Sequence, residues 1–119
     1  MIVDSGLELV RDFLAGISTD PPDSGAYGTD GTPENQNDTS LKSEVSATRL
    51  GFVSTFSSDL EARLEHFLDA STGNGNIFRE FGLIRNADSK LFSRQTFTDI
   101  EKDTSIELQR ITIIRIGRG

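Results

Sequence analysis

Cysteine is absent from the 119 residues, which removes disulfide stapling and thiolate metal sites. Histidine occurs once, at His66, and one imidazole with no thiol beside it makes no recognisable zinc site. Lysine is found only at Lys42, Lys90 and Lys102, the remaining basic residues being arginine. With a net charge of −7 and no basic face before the last few residues, no nucleic-acid partner is expected. Apolar runs fall short of the roughly 18 to 20 residues of a membrane span. Met1-Ile2-Val3-Asp4 lacks the basic start of a signal peptide, so a soluble chain is expected. No serine sits in a nucleophile elbow. Gly73-Asn74-Gly75 lacks the strand-before, helix-after setting of a phosphate loop and reads as a turn.

What is present suits one domain, residues 1–119, with a modest core. Hydrophobic residues make up 34%, low enough that a thin core completed by neighbouring copies is expected. Abundant aspartate and threonine with little lysine fit a surface adapted to concentrated salt, hence a halophilic host. Ordinary acidic solubility is the plainer explanation of the same balance.

Leu7, Val10, Leu14 and Ile17 recur at helical spacing after an N-cap candidate at Asp4-Ser5, and Gly16 stands where a helix would stop. This predicts a helix over about 5–16 with that stripe buried. Residues 18–38 are rich in Ser, Thr, Asp, Gly, Pro and Asn, predicting a long loop with room for a short strand only at Ala26-Tyr27. A β-rich part follows over about 45–116: a strand within Val45 to Phe56, another at Leu60 to Ala70, then Ile77 to Arg85, Leu91 to Phe97 and Ile106 to Ile116. Leu60 to Ala70 also fits a helical face, and strand is preferred because Ser71 to Asn76 reads as a hairpin turn. In the last strand Gln109 and Arg110 interrupt the apolar run, which leaves one side partly exposed. The fold class expected is mainly β, an antiparallel sandwich or small barrel of about six strands with one N-terminal α-helix packed on it.

Candidate chemistry is sparse. Asp30, Glu34, Asn35, Asn37 and Asp38 could crowd a calcium ion with oxygen ligands, but their spacing fits no EF-hand loop because no aligned glutamate closes it. Glu61, Glu65, Asp69 and Glu80 could pair for glycoside cleavage, yet acidic residues on strands more often form solvated faces. No catalytic residue, cofactor or metal is assigned, and no enzyme is expected. Glu80 stands between Phe78 and Phe81, so burial would require a partner, Arg94 or Arg49. Gly82 beside it suggests a close backbone approach or a bulge.

The stretch Glu80-Phe81-Gly82-Leu83, a polar turn at Asn86-Ala87-Asp88-Ser89, and then Leu91 to Phe97 resembles a family of small virion proteins of tailed viruses. Tyr27-Gly28-Thr29-Asp30-Gly31-Thr32-Pro33 and Asp38-Thr39-Ser40-Leu41-Lys42-Ser43-Glu44-Val45 are similar to a second signature of that family, in the same order. The resemblance implies a structural motif at Gly28, Leu41, Glu44, Glu80, Gly82, Leu83 and Arg94, with Glu80 in a structural ion pair or backbone clamp. It further implies a virion component at the tail tip, baseplate or fibre attachment. Its partners would be copies of itself, a trimer favoured, and other virion structural proteins. A head-attached decoration or fibre-base role is an alternative. So is a host-surface binding module using residues 18–37, where Tyr27 is the one aromatic for sugar stacking.

Overall fold

The computed structural model describes residues 1–118 and is built of two antiparallel sheets and one helix. In chain order the elements are α1 (Asp4–Leu14), β1 (Ser24–Gly28), a 3-10 turn (Ser46–Thr48), β2 (Leu50–Gly51), β3 (Ser54–Ser58), β4 (Glu61–Leu68), β5 (Asn76–Arg85), β6 (Lys90–Lys102) and β7 (Leu108–Arg115). The larger sheet runs β2-β1-β5-β6 and the smaller β3-β4-β7. The mainly β class with an N-terminal helix is therefore as the sequence predicts, with seven strands in place of about six.

The sheets pack through an aromatic core. Tyr27, Phe78, Phe81 and Leu83 come from the larger sheet, Leu68 from the smaller, and Leu9 from α1, with Leu64, Leu108 and Ile114 packed against them. Tyr27 stacks on Phe78 with ring centroids 4.7 Å apart and meets Phe81 edge-on at 4.9 Å. Burial of each such side chain contributes roughly 1.5 to 3 kcal/mol. A second cluster, Val3, Ala26, Leu41, Ile84 and Leu91, lies apart from it. Side chains alternate across a strand, so Phe81 and Leu83 serve the first cluster while Glu80, Gly82 and Ile84 face the other way.

Three expectations need correction. Ser24–Gly28 lies inside the predicted loop of residues 18–38, yet it is a wholly buried strand between β2 and β5. Its small residues let neighbouring side chains close over it, and tertiary pairing overrides weak local propensity. Within Val45 to Phe56, Thr48 turns the chain first: its hydroxyl donates to the Val45 carbonyl at 2.7 Å and accepts the Tyr27 N–H at 2.8 Å. Strand then resumes only at β2 and β3.

Helix α1 is the third. Val3 precedes it with no side-chain cap, and Ser5 donates its hydroxyl to the Leu91 carbonyl at 2.6 Å instead of capping. The buried stripe is Val3, Gly6 and Leu9. Any side chain at position 6 would collide with the Phe92 backbone, so the helix rests on β6 nearly backbone to backbone. The apolar stripe expected to be buried points outward: Leu7, Val10, Phe13, Leu14 and Ile17 are 43% to 78% exposed. No helix among the described residues is long and apolar enough to cross a membrane.

Candidate functional site

Glu80 sits in β5 opposite Gly28 of β1 and Thr96 of β6, on the face of the larger sheet turned away from the aromatic core. A Cβ on Gly28 would strike its carboxylate, so the side chain lies flat across bare backbone. Its Oε1 accepts the Lys42 N–H at 2.9 Å and the Arg94 Nε at 2.8 Å. Its Oε2 accepts the N–H groups of Ser43 at 2.8 Å and Asp30 at 3.3 Å. Both Glu80 and Arg94 are 0% exposed. Arg94 also donates to Asp38 Oδ2 at 3.2 Å and to the Asp30 carbonyl at 3.2 Å. A charge pair out of water holds only where its remaining donors and acceptors are satisfied, and here the loop backbone supplies them.

The chain between β1 and the 3-10 turn is thereby fastened to the sheet at several points. Asp38 accepts the Asn35 N–H at 3.0 Å and pairs with Lys42 at 3.3 Å. Burial works to raise the Asp38 carboxyl, but these donors and Arg94 outweigh it and hold the pKa below the usual carboxylate value. At Arg94 burial works to lower the pKa, but Glu80 and then Asp38 outweigh it and raise it. Glu34 accepts the Thr96 N–H at 2.7 Å, tying the loop to β6. Leu41 and Leu91 close over Gly82, where a Cβ would meet them at 2.8 and 3.0 Å. Glu44 bridges to Gly28 through its backbone and pairs with Arg49 at 2.8 Å.

Six of the seven motif residues, Gly28, Leu41, Glu44, Glu80, Gly82 and Arg94, thus lie in one connected region, whereas Leu83 turns into the aromatic core. Arg49 serves Glu44, leaving Arg94 as the partner of Glu80. Asp38 completes the network, and nothing in its polar loop distinguishes it from its neighbours in the sequence.

Chemically the site is closed. Four donors converge on the Glu80 carboxylate, leaving no exposed face for a substrate. Glu61 pairs with Arg115, and Asp69 accepts from Ser71 and Thr72, so these candidate acids work locally. Among the described residues no group of three or more His, Asp or Glu is placed to hold a metal ion. Asp30, Asn35 and Asp38 spend side-chain oxygens on N–H groups of their own loop.

Two polar side chains flank the aromatic core. His66 has its Nε2 2.9 Å from the Thr48 carbonyl, which can only accept, so Nε2 carries the proton and Nδ1 is left without a partner. Burial lowers its pKa. One side of β7 is exposed, as the sequence predicts, and Arg110 lies on the other, half-buried side. Its guanidinium lies 4.9 Å from the Phe81 ring centre and 5.0 Å from that of Phe97, and it donates to Gln95 at 2.7 Å. Stacking between rings lets a cation replace a hydrophobe there.

The outward surface differs in kind. Val10 and Phe13 of α1, Pro21, Pro22, Ala62 and Ile116 line a groove of about 370 Å³ between the helix and the smaller sheet. Beyond it, Phe56, Leu60, Ile111 and Ile113 are 40% to 59% exposed. Tyr27 is 2% exposed, which removes the one aromatic assigned to sugar stacking. The chain matches no protein-family model, no curated protein and no solved structure.

Proposed function

We propose that this protein is a structural component of a tailed-virus virion, at the tail tip, baseplate or fibre attachment, acting by self-association and by docking to other virion proteins. The observation that carries the assembly reading is the uncovered apolar surface: the outward stripe of α1, its groove, and the exposed isoleucines of β7. Exposed apolar side chains scattered singly are ordinary, whereas ones gathered along a stripe beside an apolar groove mark interaction sites. The virion setting comes from the resemblance. Its support here is that most of the motif residues cooperate in one buried clamp, as a rigid building block needs.

The resemblance favours threefold self-association in the virion, after assembly in the host cytoplasm. The reading assigns no enzymatic role. A head decoration or fibre base would use the same surface, so position in the particle decides between them. Recognition of a host surface by residues 18–37 is the weaker reading, because Tyr27 is buried and the following loop is fastened to the sheet. Labelling the protein in purified particles and imaging them tests the proposal. Signal at the tail end is expected; signal over the capsid would move the protein to the head, and its absence from intact particles would overturn the virion role.

A further inference from the structure

β7 ends the smaller sheet, paired with β4 through an unbroken register from Glu61↔Arg115 to Leu68↔Leu108. The Ile116 N–H donates to the Leu60 carbonyl at 2.7 Å. Antiparallel bonding alternates, so the even-numbered residues of β7 direct their backbone groups to β4. Gln109, Ile111, Ile113 and Arg115 therefore direct theirs to the open side, where no strand follows.

The other sheet margins are short or covered over part of their length. Residues 1–3 cover β6 from Phe92 to Arg94, with Val3 N–H on the Phe92 carbonyl, an Ile2↔Ser93 bridge and Arg94 N–H on the Met1 carbonyl, and Glu34 takes the Thr96 N–H. β2 has two residues and β3 five. Natural edges are blunted by lysine, proline, a bulge or an inward-pointing charge, and of these β7 carries only the inward Arg110. It carries Ile111 and Ile113, 45% and 40% exposed, on the outer face beside that open edge.

Resting on the self-assembly reading above, we infer that β7 pairs antiparallel with β7 of a second copy across a twofold axis at Ile111, joining two three-stranded sheets into one. The open-edge residues restrict the register, since hydrogen-bonded pairs must be drawn from odd-numbered positions. Charge selects among the remaining choices. Centring on Ile111 sets exposed Glu107 opposite Arg115 of the second copy at both ends, Gln109 opposite Ile113, and Ile111 opposite itself. Centring on Thr112 or Ile113 withdraws Glu107 from Arg115, which then keeps only Glu61 of its own chain as an acid partner. Acid-to-base pairing across strands favours the first register. The contact is isologous, so it produces dimers, or hexamers if it joins two threefold rings.

Absence of cysteine in the native chain makes the test clean. Residues facing across a hydrogen-bonded antiparallel pair have Cα atoms about 5.5 Å apart, within the ~4.4 to 6.8 Å range a disulfide spans. The full-length variants Ile111→Cys, Gln109→Cys and Ile113→Cys are oxidised, or treated with a short thiol cross-linker, in molar salt. Ile111→Cys should become a covalent dimer. Gln109→Cys alone and Ile113→Cys alone should not, because each lies ~15 Å from its own copy, four residues along at ~3.4 Å each and one strand across. Mixing those two variants should restore the cross-link. Self-linking at 109 or 113 would overturn the register. No cross-link in a protein that still sediments as an oligomer would overturn edge pairing and leave self-assembly standing, whereas a native chain that stays monomeric would overturn both.

Discussion

Removing the Glu80 carboxylate deprives three loop N–H groups and the buried Arg94 of their acceptor at once. Glu80→Ala is expected to cost about 3 to 5 kcal/mol, the usual effect of breaking a buried pair from one side. Denaturant unfolding measures this; a midpoint equal to wild type would show that the clamp contributes nothing. His66 sets a pH dependence. Its folded pKa is lowered by burial, so above the unfolded value of about 6.5 both states are neutral and stability is flat. As pH falls through that value the unfolded chain takes up the proton first, and stability is lost until the folded pKa is passed. Thermal unfolding between about pH 7.5 and 5.5 should show that loss in wild type and a smaller one in His66→Gln, and parallel curves would contradict it. Glu80 was legible because a charge between two phenylalanines demands a partner. Asp38 was not, because it is one acid in a loop full of them, and only the arrival of Arg94 from β6 sets it apart.

At the level of elements, α1 separates two roles that periodicity alone confuses. The sequence shows where apolar residues recur, but which stripe is buried depends on the neighbour, and a strand approached through Gly6 has room for Leu9 only. Leu9→Ala should therefore cost roughly 2 to 5 kcal/mol, as core truncations do. Leu14→Glu, at a position 78% exposed, should change folding stability by no more than about 0.5 kcal/mol, while weakening self-association at least about tenfold. Equal destabilisation by the two would mean that the outward stripe is covered within one chain. β4 was legible as a strand only through the turn after it, since its residues fit a helical face as well; it pairs with β3 and β7, and that turn crosses to the larger sheet and closes no hairpin. β1 was legible only at Ala26-Tyr27, because the flanking Ser24, Gly25 and Gly28 carry no strand signal, and its burial comes from β5 and the clamp around it.

For the molecule as a whole, an acidic surface and a modest core set the conditions under which it works. Exposed acids at Asp20, Asp23 and Asp69, and the net charge of −7, repel one another across a Debye length of ~30 Å in 0.01 M salt but only ~3 Å at 1 M. Domains are stable by only about 5 to 15 kcal/mol, so that screening should raise the melting temperature markedly between dilute and molar salt. A flat response would remove the halophilic reading and leave the assembly reading intact. The central claim is that this fold is finished by other copies of itself, its own chain leaving the α1 stripe and the β7 isoleucines in water. Sedimentation of the native protein over a wide concentration range in molar salt tests that directly. A defined oligomer that dissociates on dilution, and more readily in Leu14→Glu, is the predicted result; a folded monomer at every concentration would contradict it.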